Sequence, residues 1–65
     1  LKNNIKQLRE QFDLTQEDLA KEIGVSRQTI ISLEKERYSP SIILAFKLAK
    51  LFNCQIENIF IYEEN

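Results

Sequence analysis

The chain has a single glycine, Gly24, and it lies between two segments that both read as amphipathic helices. No other feature limits the fold as much. On the N-terminal side, Thr15 is a good helix N-cap. Asp18 stands three residues later, in the place of the usual Glu of a capping box. The spacing predicts a helix over 16–23 with Leu19, Ala20 and Ile23 inward. Gly24 then falls where the helix must stop and the backbone turn left-handed, a conformation that glycine adopts cheaply. After the apolar Val25, Ser26 is a second N-cap, and a helix over 27–35 follows with Ile30 and Leu33 buried. Helices joined by so short a turn cross steeply. They need a small residue at the close approach, which Ala20 supplies. They also need apolar residues to lock one helix on the other, and Val25, Ile30 and Leu33 do this.

The flanking segments extend the same pattern. Ile5, Leu8 and Phe12 fall at i, i+3 and i+7, so a first helix is expected over 3–12. Ser39-Pro40 reads as an N-cap followed by proline at the first helical position, opening a fourth helix over 40–52. Its expected inward face is Ile42, Ala45, Leu48, Ala49 and Phe52. Ile56, Ile59 and Phe60 suggest a short fifth helix. Phe60, Ile61 and Tyr62 are β-prone and suit a short strand. The expected fold class is an all-α, five-helix domain spanning 1–65 with a short C-terminal strand.

Composition narrows the chemistry. Histidine is absent, which removes the commonest general base and metal ligand. One cysteine, Cys54, allows neither an intrachain disulfide nor a cysteine-based zinc site, and reads as a partly buried small hydrophobe. No catalytic, metal or cofactor site is expected. The stretch from Ile42 to Phe52 is too short and too interrupted by lysines to span a bilayer, and the N-terminus lacks a signal-peptide pattern, so a cytoplasmic protein is expected. Formal net charge is −1 over 65 residues. Glu57, Glu63 and Glu64 lie in the last ten residues, leaving nine basic against seven acidic groups before them. Nucleic-acid binding needs a local positive surface, not a positive protein.

The stretch TQEDLAKEIGVSRQTIISLE, with SP shortly after it, resembles the phage repressor and Cro type of helix-turn-helix, the XRE family. The resemblance covers nearly the whole chain. It implies a transcriptional regulator that binds a double-stranded DNA operator, usually as a homodimer. The matching positions Ala20, Gly24, Ile30 and Leu33 are scaffold, so function has to be read from outward residues.

On the third helix those residues are Ser26, Arg27, Gln28, Ile31, Ser32 and Lys35. Arginine pairs bidentately with guanine and glutamine with adenine in the major groove. Arg27 and Gln28 occupy the first turn, which enters the groove deepest in this motif. The resemblance assigns base reading to the positions of Arg27, Gln28 and Ser32. Ile31 suits a thymine methyl or a half-buried helix edge. Gln16, at the N-terminus of the second helix, suits a phosphate. In the resembling family the loop of Arg37, Tyr38 and Ser39 grips the backbone, and Ser26 and Lys35 complete the expected phosphate set. The alternative for Arg37 is a surface ion pair with Glu34 or Glu36. Glu36 departs from the family's Asn or Gly where the chain leaves the third helix, and it tolerates a left-handed turn less well.

Ile43, Phe46 and Ile61 are apolar residues outside the expected core, where such groups mark interfaces, in a chain that buries only roughly 60% of its unfolded surface. Compact members of the resembling family dimerise through the end of the fourth helix, the fifth helix and the C-terminal residues. The resemblance thus implies that residues 56–65 serve dimerisation and adds Ile59, Phe60 and Tyr62 to the expected dimer surface. It also suggests a strand pairing of Leu1 and Lys2 with Phe60 to Tyr62, within one chain or between two. No small-molecule ligand is expected. The competing reading is a protein-interaction module, an antitoxin or anti-repressor partner, suggested by the acidic tail and the outward apolar residues.

Overall fold

Two hydroxyl groups set the frame of the central helix pair. The computed structural model describes residues 1–37 and 39–63. In it, the Asp18 N–H donates to Thr15 Oγ1 at 3.0 Å and the Thr15 N–H donates to Asp18 Oδ2 at 3.0 Å, closing a full capping box. Helix α2 (Gln16–Ile23) runs from this cap to Gly24, whose φ is +75°. A Cβ at Gly24 would meet no atom within 4 Å, so glycine here serves the backbone angle and not a close approach. The Thr29 N–H donates to Ser26 Oγ at 3.2 Å and opens helix α3 (Arg27–Glu34), one residue shorter than expected.

Helix α1 (Ile5–Gln11) begins later than expected because Asn3 belongs to a strand. Strands β1 (Lys2–Asn3) and β2 (Phe60–Ile61) pair antiparallel within the chain, Lys2 opposite Ile61 and Asn3 opposite Phe60. The Asn4 N–H donates to the Ile59 carbonyl at 2.8 Å and extends this clasp. The strand pair is joined to α3 as well: Asn3 Nδ2 donates to the Leu33 carbonyl at 2.8 Å.

Helix α4 (Ile42–Leu51) corrects the sequence expectation at its start. Ser41, not Ser39, is the cap, accepting the Leu44 N–H on Oγ at 3.1 Å, and Pro40 precedes the helix. With this start the buried stripe is Leu44, Ala45, Leu48, Ala49 and Phe52, and Ile42 is 74% exposed. Both serines have the chemistry of a cap. The register of the stripe over the core selects the second, which brings Leu44 inward and leaves Ile42 on the flank. Helix α5 (Ile56–Ile59) is a single turn, with the Gln55 N–H donating to Asn58 Oδ1.

All four longer helices stop at a left-handed residue, yet only one of these is glycine. The others are Asp13 (φ 56°), Glu36 (φ 61°) and Asn53 (φ 53°). At each, the chain folds back in a Schellman arrangement. At the end of α3, the Glu36 N–H donates to the Leu33 carbonyl and the Arg37 N–H to the Ser32 carbonyl, both at 3.0 Å. Glu36 thus adopts the left-handed turn that its side chain disfavours.

One core joins these elements, with Ile5, Leu19, Ile30, Leu33, Leu48 and Ile59 fully buried. Phe12, expected inward, stays 45% exposed and rests edge-on against Phe52 with ring centroids 5.4 Å apart.

Candidate nucleic-acid interface

The first turn of α3 projects from this core. Arg27 and Gln28 are exposed, while Ile30 and Leu33 on the opposite side anchor the helix. Ile31 and Ser32 are half-buried on the flank, and Lys35 is exposed at the far end. Gln16, at the start of α2, comes beside this face: Arg27 Nη2 donates to Gln16 Oε1 at 3.5 Å. One hollow is lined by Arg9, Thr15, Gln16, Glu17 and Arg27. A second, lined by Lys6, Arg9, Gln16, Ile31, Glu34 and Lys35, shares Arg9 and Gln16 with it. The structure therefore brings Gln16, Arg27, Ile31 and Lys35 around one surface.

Beneath them lies an ion pair that sequence reasoning missed. Arg9 Nε donates to Glu34 Oε2 at 2.8 Å and Arg9 Nη2 to Glu34 Oε1 at 3.4 Å, with side chains only 11% and 8% exposed. Arg9 Nη1 donates to the Leu14 carbonyl at 2.9 Å, and Gln16 Nε2 donates to Glu34 Oε1 at 3.2 Å. Charges so deeply placed are tolerable only when paired and hydrogen-bonded. Among the described residues no buried side-chain nitrogen or oxygen lacks a partner. A signal was present in the sequence: Arg9 is four residues after Ile5 and Glu34 four after Ile30, each on the stripe of a core isoleucine. Lys6, on the exposed side of α1, is a further basic residue at this surface that the sequence reading did not single out.

The remaining expected residues are placed less uniformly. The Ser26 hydroxyl is engaged as the α3 cap and lies 2.9 Å from Thr29 Oγ1. Arg37 is exposed, and the Glu34 considered as its partner is held by Arg9 and Gln16 instead. Ser39 borders a different hollow, an apolar one of about 370 Å³ whose lining includes Leu1, Pro40, Ile42, Phe46 and Ile56. Tyr38 lies outside the described residues. Of the expected dimer surface, Ile59 and Phe60 are packed into the chain's own core, because α5 and β2 fold back onto α4 and β1. Ile43, Phe46, Ile61 and Tyr62 are exposed.

At the α2 terminus, the carboxyl of Asp18 is held below the usual aspartate range, first by the Thr15 N–H, then by the Thr15 side chain, with Lys21 adding a smaller attraction. The negative charge also suits the positive end of the helix dipole. Among the described residues no helix is long and apolar enough to cross a membrane.

Two packed helices joined across a left-handed glycine, with a polar first turn projecting from the second, define a helix-turn-helix protein. The helix-turn-helix family model matches residues 5–59, and the chain belongs to that family. It is 60% identical to an uncharacterised HTH-type transcriptional regulator of Methanocaldococcus jannaschii, over 100% of this chain and 98% of that protein. An uncharacterised HTH-type transcriptional regulator of Bacillus subtilis is 44% identical over 98% of this chain and 97% of its own length. The cryptic phage CTXphi transcriptional repressor RstR of Vibrio cholerae is 37% identical over 88% of this chain and 51% of its own length.

Proposed function

We propose that this chain is a sequence-specific double-stranded DNA-binding transcriptional regulator, acting as a homodimeric repressor on a short palindromic operator. The observation that carries this reading is the exposed first turn of α3, where Arg27 and Gln28 project from a helix anchored by Ile30 and Leu33. In the major groove Arg27 suits guanine and Gln28 adenine, with Ser32 and Ile31 at the edge of the same face. Gln16, Lys35 and Arg37 supply phosphate contacts at its margins, with Ser26 through the α3 N-terminus, and Tyr38 and Ser39 in the following loop. Lys6 joins the basic residues of this surface. Relatives named as HTH-type transcriptional regulators, and one named as a repressor, support the same reading.

Dimerisation is supported by the apolar surface on α4. Ile42, Ile43 and Phe46 are 74%, 70% and 61% exposed, and Leu1 and Tyr62 lie exposed on the neighbouring termini. A second copy seated there would present two recognition helices about 34 Å apart, one turn of DNA.

Selection of bound sites from random double-stranded DNA tests the function. The expected result is a short palindromic consensus whose binding weakens steeply as salt rises. Binding without a consensus, or no binding at low salt, would remove this reading and favour a protein-interaction module built on the α4 surface.

A further inference from the structure

Four side chains cross the interface in series, from the interior to the exposed turn: Arg9, Glu34, Gln16 and Arg27. Their donors and acceptors alternate in a way that leaves one arrangement. The Glu34 carboxylate, pinned by Arg9, can only accept. Gln16 must therefore offer it the amide nitrogen, which turns the amide oxygen toward Arg27. An oxygen there can only accept and a guanidinium can only donate, so the pair is compatible. Were residue 34 a donor, the Gln16 amide would turn over and set its NH₂ against the Arg27 guanidinium.

We propose that Glu34 is a positioning residue for sequence reading: acting through the Gln16 amide, it holds Arg27 ready for its base before DNA arrives. This role rests on the reading of Arg27 as a base contact. Arg27 is a long, exposed side chain, and ordering it on binding costs affinity unless it is ordered beforehand. Gln16 occupies only Nη2 of the guanidinium, leaving other donors for guanine. The second hydrogen of Gln16 Nε2 remains available to a phosphate. Neither Glu34 nor Gln16 needs to touch a base, yet both would set how sharply one base pair is read.

The test measures relative affinity for the four bases at the operator position that Arg27→Ala relaxes. Gln16→Met keeps length and leaves the buried ion pair intact, so the variant folds. It is expected to lower discrimination at that position about two- to tenfold, the range for ordering one long side chain. Combined with Arg27→Ala, it should cause no further loss of discrimination there. Replacing both buried charges separates positioning from charge balance. Arg9→Met with Glu34→Gln keeps a carbonyl acceptor for Gln16 but adds an amide donor, and discrimination should fall between that of the unaltered protein and that of Gln16→Met. Arg9→Met with Glu34→Leu removes the acceptor and should fall to the level of Gln16→Met. A purely structural pair would change thermal stability without changing selectivity at one position. Equal weakening on all sequences by Gln16→Met, additive losses in the Gln16→Met/Arg27→Ala variant, or full discrimination by the Leu variant would overturn the positioning role alone. Failure of the unaltered protein to select any sequence would overturn the DNA-reading function and this role together.

Discussion

Helices α3 and α4 are built on the same plan and leave opposite surfaces outside the core. Each starts at a serine cap, buries a stripe of aliphatic side chains, and ends in a left-handed residue. The outward side of α3 carries Arg27, Gln28 and Lys35, whereas that of α4 carries Ile42, Ile43 and Phe46 among its lysines. Polar groups projecting from a rigid helix suit a polar partner such as DNA. Apolar groups held out of the core suit a partner that can exclude water, such as a second copy of the chain. The inward sides differ too. α4 meets the core with apolar atoms alone, while α3 adds a charge, Glu34, that reaches across to Arg9.

That difference on the inward sides gives the largest expected effect. Glu34→Ala leaves the Arg9 guanidinium buried without its carboxylate and should cost about 3–5 kcal/mol in chemical denaturation. A loss below about 1 kcal/mol would mean that Arg9 escapes to solvent and that the pair adds little. The outward side of α4 is probed by Phe46→Lys. If a second copy covers this face, the variant should sediment as a monomer and lose about 2 kcal/mol or more of dimer affinity, with its melting temperature as a monomer nearly unchanged. Unaltered sedimentation would place the dimer contact elsewhere. On the outward side of α3, Arg27→Ala should cost about 1–3 kcal/mol at one base position and relax selection there, whereas Lys35→Ala should weaken all sequences alike and flatten the salt dependence. If the two substitutions behave alike, Arg27 is a backbone contact.

The caps offer a finer contrast. Ser41→Ala should cost about 1 kcal/mol and Ser39→Ala a few tenths at most, because only Ser41 accepts an N–H at the α4 terminus. Equal effects would return the start of α4 to Ser39. The smallest effect is at α2. The Asp18 carboxyl lies below its unfolded value, so its contribution is present above the unfolded pKa and is lost as pH falls through the folded one. Asp18→Asn should remove a small part of the acid-side decline in stability, measured by melting between neutral and acidic pH. An identical decline in both proteins would show that the Thr15 bonds do not favour the charged form.

Much of the α2–α3 unit was legible because its determinants are local. Thr15 reaches Asp18, Ser26 reaches Thr29, and Gly24 answers a single backbone angle. The start of α4 was misread because Ser39 and Ser41 have equal local merit, and only packing of Leu44 decides between them. Asp13 and Asn53 were not read as left-handed stops, because Asp and Asn only tolerate that angle and do not announce it, and Glu36 was singled out through the resemblance alone, as a residue that suits it less well. The exposed apolar surface was half legible. Ile43 and Phe46 are exposed as their periodicity implied, but Ile59 and Phe60 are consumed by the intrachain β1–β2 clasp. Arg9 and Glu34 are 25 residues apart, and nothing near either one in sequence names the other.

By itself, then, the sequence determined the family, the helix pair around Gly24 and the polar first turn with Arg27 and Gln28, because caps, turns and stripes act over three or four residues. Tertiary structure alone decided where α4 begins, which apolar residues stay outside, and that Gln16 is tied at one end to a buried carboxylate and at the other to Arg27. Those outcomes depend on which surfaces meet, and surfaces meet only after the chain has closed around its core.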